Sequence, residues 1–318
     1  MTHNRIRKDT KVRNNSKMRR RSDMKTKIGF ILFLILFINY FLCADTIIPE
    51  GNVSGVWNLS GSPYLIEGDI TIPDSELLLI DPGVLVEFQG YYALNVQGRL
   101  LAIGNEQDSI RFTINDTTGF YSDSDSKDCS WKGLNFDNIS AQNDSSIISY
   151  SIIEHATSST HGGGIYVNNF SKLKISNSLI QYNICNSWNG VSNSNGAGIY
   201  LKDSDANISN NIIRYNEIEG PNNGGGIAIY NSSPYIANNI FHHNNAYYGG
   251  GVYSNKCSAK LVNNLFYNND GNGSGLYSDG DWTNQDSIYV INNTFTQNNG
   301  ECLRFFYSRA KIINTIVL

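Results

Sequence analysis

The amino-acid sequence predicts an all-β solenoid, short strands wound into stacked coils, and three observations predict it. A glycine-rich step runs into a short apolar strand six times, over residues 162–167, 196–201, 224–229, 249–254, 273–278 and, in decayed form, 300–305. The third position of each step falls at 164, 198, 226, 251, 275 and 302, giving spacings of 34, 28, 25, 24 and 27 residues. A period in the twenties, made of β-forming and turn residues, marks a solenoid. Between the steps a second apolar strand ends on asparagine, at Asn177, Asn210, Asn238, Asn263, Asn292 and Asn314. Asn183, Asn216, Asn244, Asn269 and Asn298 form a third signal, each three residues beyond an apolar residue.

One period therefore reads glycine step, strand, polar turn, strand, asparagine, strand, asparagine: three strands and no helix. The strands alternate apolar and polar, as burial on one face requires. Ile165 and Val167 point inward and Tyr166 outward. Asparagine at a fixed phase predicts stacked amides that hydrogen-bond along the solenoid, because an inward turn otherwise buries unpaired backbone groups.

In chain order, residues 1–23 read as a basic leader or an over-extended start. Residues 24–44 read as a secretory signal: Lys25 and Lys27, an apolar run over 28–42, then Cys43 and Ala44, with cleavage expected after Ala44. An uncleaved membrane anchor is the alternative, although the run is short for a span. Residues 45–318 read as the solenoid, with 65–115 as an N-terminal cap and first coils. Leu134 and Phe136, Leu94 and Val96, and Ile70 and Ile72 repeat the inward pair with weaker glycine, for roughly nine coils between 65 and 318. The sequence ends inside a coil, which reads as truncation.

Residues 1–44 hold 11 of the 24 basic residues but 2 of the 28 acidic ones, leaving 13 basic against 26 acidic, a net charge of −13, in the rest. An acidic body argues against nucleic acid and bare polyanions as partners. Cys129, Cys185, Cys257 and Cys302 lie on different coils without metal-site spacing. After export they allow three pairings, and free thiols are equally compatible.

The coil resembles the right-handed parallel β-helix of the pectate-lyase-like superfamily over about residues 46–318. Its members include polysaccharide lyases, polygalacturonases, epimerases and surface adhesins. The Gly-Gly-Gly-Ile/Val steps with Phe241–Asn244, Phe266–Asn269 and Phe295–Asn298 look like the repeats of chlamydial polymorphic membrane proteins, β-helical passengers implicated in adhesion. The opening, with Asp81-Pro-Gly-Val and Asn95-Val-Gln-Gly, is similar to large secreted β-helix proteins of Gram-negative bacteria. The resemblance implies secretion or display on the outer surface of a Gram-negative bacterium, with membrane contact only through the signal segment or a missing anchor.

The outward row Tyr166, Tyr200, Tyr253 and Tyr277, interrupted by Ala228, is the first candidate site. An exposed aromatic row suits sugar rings, and stacked tyrosine is equally a strand former. Trp282, beside Asp279 and Asp281, is a further sugar platform. Asp203 and Asp205, two apart in an extended chain, lie within roughly 7 Å on one face; paired carboxylates hold calcium or share acid and base roles, whereas a solvated turn uses the same residues. Asp123, Asp125 and Asp128 form a looser calcium candidate. His242 and His243, adjacent in a strand, face opposite ways and read as surface histidines that form no joint site, with His155 too distant to join them. The polygalacturonase motifs and the lyase arginine over an aspartate cluster are absent. The expectation is a non-catalytic module that binds polysaccharide or cell-surface glycan, with calcium the one cofactor in view; the alternative is a polysaccharide lyase or glycoside hydrolase.

Overall fold

Apolar, β-branched strands two to five residues long cannot close a core alone, and in the structure they stack into four parallel sheets. The computed structural model describes residues 45–120, 129–186, 194–281 and 287–318. Trp282, Asp123, Asp125, Asp128 and the leader and signal segments lie outside the described residues. The glycine-step sheet has ten strands, from Gly51–Asn52 to Leu303–Phe306. The second, also of ten, runs from Gly55–Trp57 to Arg309–Ile313, and the third, of eleven, from Thr46–Ile48 to Ile316–Val317. Every pairing is parallel and joins one coil to the next; Ile165, Ile199, Ile227, Val252 and Leu276 stand in register. Nine rungs follow residue 65 as expected. One more precedes it, on strands Thr46–Ile48, Gly51–Asn52 and Gly55–Trp57, so the first coils begin ahead of the expected 65–115 segment.

The period holds one strand more than the sequence suggests. A fourth sheet of five short strands, Thr157–Ser158, Ile184–Cys185, Glu217–Ile218, Asn245–Tyr248 and Asp270–Asn272, forms just before the glycine steps. It covers a small apolar cluster of Cys185, Ala197, Ile218 and Ala246. The main core is one continuous column from Trp57 to Phe295. Inside it Phe241, Phe266 and Phe295 stack face to face at 4.6 and 4.5 Å. Burial of each such side chain contributes about 1.5–3 kcal/mol.

A single rule governs the three corners that follow the first three strands of a coil. One residue takes a left-handed backbone, and the next turns inward. At the first corner the left-handed residues are Asn169, Asp203, Asn231 and Lys256, at φ 47–57°. The inward residues there are Phe170, Ser204, Ser232 and Cys257, all buried. At the second, Asn177, Asn210, Asn238, Asn263, Asn292 and Asn314 are left-handed, a conformation that asparagine tolerates better than most residues. Their successors Asn211, Asn239, Asn264 and Asn293 carry the buried amide ladder, each Nδ2 bonding the next coil's Oδ1 at 2.9–3.1 Å where that partner is asparagine. The asparagines singled out at that corner are therefore the turn formers, and their neighbours do the bonding. At the third corner the ladder is the expected one. Asn183, Asn216, Asn244, Asn269 and Asn298 connect at 3.0 Å per step. Each of the last four also donates to a backbone carbonyl of the coil just before it at 2.9–3.0 Å, which leaves no amide unpaired.

Cys129, Cys185 and Cys257 are buried, and Cys302 is partly exposed. Cys257 occupies the slot filled by Ser204 and Ser232 in earlier coils and bonds Asn255 O at 2.9 Å, as Ser232 Oγ bonds Tyr230 O at 2.6 Å.

Candidate functional site

The outward face of the glycine-step sheet carries the tyrosines in register, Tyr166 beside Tyr200 and Tyr253 beside Tyr277. They do not form an exposed row. Tyr200, Tyr253 and Tyr277 are only 5, 5 and 6 % exposed, and Tyr166 is half-buried. Tyr230, two residues beyond Ala228 and so on the same face, covers the gap that alanine leaves. Ring centroids then follow at 5.5, 5.5, 5.6 and 5.6 Å through Tyr166, Tyr200, Tyr230, Tyr253 and Tyr277. His161 lies flat on Tyr200 at 4.4 Å, and Tyr248 leans on Tyr277 at 4.7 Å. Sequence alternation located the row; the neighbours that cover it come from the fourth sheet and the segments before the glycine steps, where no shared residue type marks them.

The hydroxyls are committed as well. Tyr230 Oη donates to Asn195 Oδ1 at 2.9 Å and accepts from Asn223 Nδ2 at 3.1 Å. Tyr253 Oη donates to Asp279 Oδ2 at 3.1 Å, which also accepts from Asn255 Nδ2 at 3.2 Å. Burial pushes the Tyr230 phenol up to about 12. It raises Tyr200 and Tyr253 further still, helped by neighbouring phenols and by Asp203 and Asp279 respectively. These phenols stay neutral. Burial, and then the charge of Lys202, lowers His161 to about 4, so its imidazole is neutral at pH 7.

Against this ladder lies an open cleft of about 560 Å³. Tyr200 and Tyr230 form one wall, and Asn195, Asn222, Asn223 and His161 another. Lys202 and Lys256 stand exposed at its rim, and Lys256 pairs with Asp281 at 3.2 Å. No aspartate or glutamate is among the described lining residues. Amide groups that donate and accept, set beside ring edges, match the alternating hydroxyls and apolar faces of a sugar.

Asp203 and Asp205 are not the facing pair that an extended chain would give. Asp203 is the left-handed corner residue (φ 49°) at the position of Asn231 and Lys256. The carboxylate of Asp205 accepts the Ser233 amide of the next coil at 2.5 Å. The two serve the turn. Among the described residues no group of three or more His, Cys, Asp or Glu could hold a metal ion.

His242 and His243 also differ from expectation. His243 is a third-corner residue (φ 54°), so its side chain does not alternate away from His242. The two Nδ1 atoms stand 2.8 Å apart. His155, Tyr182, Tyr215 and His243 share the corner and stack in a column at 5.6, 5.2 and 4.8 Å, so His155 begins the column that His243 continues.

A family model described as a right-handed beta helix region matches residues 163–317. With ten or eleven parallel strands in each of three sheets, the chain is a right-handed parallel β-helix repeat protein. No curated protein and no solved structure matches it.

Proposed function

We propose that this β-helix is an exported or cell-surface module that binds glycan chains without cleaving them. The observation that carries the reading is the amide- and tyrosine-lined cleft beside the ladder, whose described lining includes no carboxylate. Glycoside hydrolysis uses two carboxyl groups roughly 5–10 Å apart, whereas binding needs only matched hydrogen bonds and ring faces. Export follows from the basic, apolar and small-residue segments ahead of Asp45. No helix among the described residues is long and apolar enough to cross a membrane. Adhesion is the role in which a secreted glycan-binding solenoid is most useful, and the resemblance to bacterial surface passengers agrees with it.

The partly exposed Tyr166 and the cleft edge make the contact; Tyr200 and Tyr230 hold the wall, with Tyr253 stacked behind Tyr230. A glycan array probed with the full chain, with and without calcium, should give a defined set of polysaccharide ligands. Lys202→Ala removes an exposed rim group and should weaken binding about three- to tenfold at unchanged stability, the scale of one or two net hydrogen bonds. Release of shortened oligosaccharides would replace this reading with the lyase or hydrolase alternative. Absence of any glycan ligand would end both.

A further inference from the structure

Five Asn-Gly pairs occur in the chain, and four of them, Asn195–Gly196, Asn223–Gly224, Asn272–Gly273 and Asn299–Gly300, open glycine steps. The fifth, Asn189–Gly190, lies outside the described residues. The four share a dipeptide and differ in what the fold does with the glycine amide. Gly196 N donates to Asn223 O at 3.0 Å, and Gly224 N to Tyr248 O at 2.9 Å. Among the described residues, Gly273 N and Gly300 N donate to no group. The asparagine side chains divide the same way. Asn195 is buried and its Oδ1 accepts from Tyr230 Oη at 2.9 Å. Asn223 is half-buried and its Nδ2 donates to the same hydroxyl at 3.1 Å. Asn272 and Asn299 are exposed. Among the described residues each makes one side-chain bond, Asn272 Nδ2 to Tyr247 O at 3.2 Å and Asn299 Nδ2 to Asp270 Oδ1 at 3.0 Å. Both line one open cleft of about 630 Å³, through which water reaches them.

Asparagine is thermolabile, and before glycine it is most open to attack by its own chain. The glycine nitrogen can bond to the asparagine Cγ, and glycine has no Cβ to shield that approach. The attack requires the nitrogen to be free of a hydrogen bond and the side chain to be free to turn. We propose that Asn299 and Asn272 are deamidation sites, where the fold leaves open a reaction that it blocks at Asn195 and Asn223. The glycine N–H gives its proton to a solvent base, and the nitrogen bonds to Cγ. The Cγ–Nδ2 bond breaks, and Nδ2 takes a proton from solvent and departs as ammonia. Water then opens the resulting succinimide at one of its two carbonyls, to aspartate or isoaspartate. One water is consumed, one ammonia is released, and nothing is oxidised or reduced. Gly300 is exposed and Gly273 buried, so Asn299 leads. Each conversion adds a carboxylate to a cleft already lined by Glu217, Glu219 and Asp270. Isoaspartate formed from Asn272 also moves the carbonyl that accepts Gly249 N at 2.9 Å, which loosens the fourth glycine step. Nothing here draws on the glycan reading.

The full chain, held folded in mildly alkaline buffer and mapped by peptide mass spectrometry, should show acid in place of amide at Asn299 and Asn272. Each should convert at least about tenfold faster than Asn195 or Asn223, whose following glycine amides have to break a hydrogen bond first. A carboxyl methyltransferase specific for isoaspartate should label the same two peptides. In urea, where the fold no longer protects any amide, the four junctions should converge on one rate. Asn299→Gln has to close a larger ring; it should lose its own product while Asn272 still converts and circular dichroism stays unchanged. An intact Asn272 or Asn299 in the folded chain, conversion of Asn195 or Asn223 at the same rate, or a ranking that persists in urea would each overturn the proposal.

Discussion

At the residue scale, adjacent asparagines carry opposite duties. Asn244 accepts from Asn216 N and Nδ2, and donates to Ile213 O and Asn269 Oδ1. Alanine there would remove four buried side-chain hydrogen bonds, although Asn269 Oδ1 keeps the Asn244 amide and Asn216 Nδ2 keeps Ile180 O. The expected cost is about 2–4 kcal/mol in a urea-unfolding midpoint, the range for a few unsatisfied buried groups. Asn238, exposed and left-handed at φ 57°, contributes mainly its backbone, its side chain accepting one long exposed bond from Asn263 Nδ2 at 3.3 Å. Asn238→Gly should change stability by under about 0.5 kcal/mol, and Asn239→Gly, one residue on, should resemble Asn244→Ala. Similar losses for Asn238→Gly and Asn239→Gly would contradict the corner rule. A second expectation at this scale concerns acid. His161 and His242 sit near 4 in the folded chain against 6.5 in the unfolded one. Between those values the unfolded chain takes up protons that the folded chain refuses, so stability falls as pH drops from 6.5 towards 4 and levels off below. The double variant His161→Gln/His242→Gln should unfold with a shallower pH dependence across that window than the parent. Parallel curves would show that neither ring is linked to folding.

At the element scale, the three glycines of a step have different reasons. The first is left-handed in all six steps, at Gly162, Gly196, Gly224, Gly249, Gly273 and Gly300. The third lies under the next coil: a Cβ on Gly251 would sit 2.6 Å from Gly275 O and 2.9 Å from Phe266 Cδ1. The middle position carries a side chain at Ala197 and Ser274, whereas a Cβ on Gly163, Gly225 or Gly250 would lie 2.6 Å or less from a neighbouring backbone oxygen. Gly251→Ala should therefore cost about 1–3 kcal/mol by overpacking, and a variant as stable as the parent would show that the coils can separate there. This element also marks how far the sequence is legible. Glycine steps, apolar alternation and the third-corner amides recur by residue type, so their stacking can be read directly. The fourth strand recurs only in backbone shape, since Thr157, Ile184, Glu217 and Asn245 share no chemistry. Left-handed corners break the extended-chain alternation that separates His242 from His243 and that pairs Asp203 with Asp205. The burial of the tyrosine row arises from Tyr230, His161 and Tyr248, which reach it from other phases of the coil.

At the scale of the whole molecule, a solenoid has almost no contact between distant coils, so its stability is close to a sum of coil and interface terms. Every sheet pairing joins neighbours along the axis, and each ladder amide bonds in both directions: Asn244 Nδ2 donates to Asn269 Oδ1 in the next coil and to Ile213 O in the coil before. The ladder thus ties three coils together, from Ile153 O to Asn298, on top of the backbone pairing. Hydrogen exchange on the 318-residue chain should follow that overlap. Amides of Ile199–Lys202, Ile227–Tyr230 and Val252–Asn255, inside the ladder, should be slowest. Those of Thr46–Ile48 and Ile316–Val317, which among the described residues pair with one coil each and expose Ile47 and Ile316, should be fastest. Asn244→Ala should then accelerate exchange in the strands from Ile227 to Leu276 while leaving Ile70–Ile72 and Leu94–Val96 at their parent rates. Uniform acceleration along the chain would mean that the coils unfold as one cooperative block and that the ladder does not divide the helix into local units.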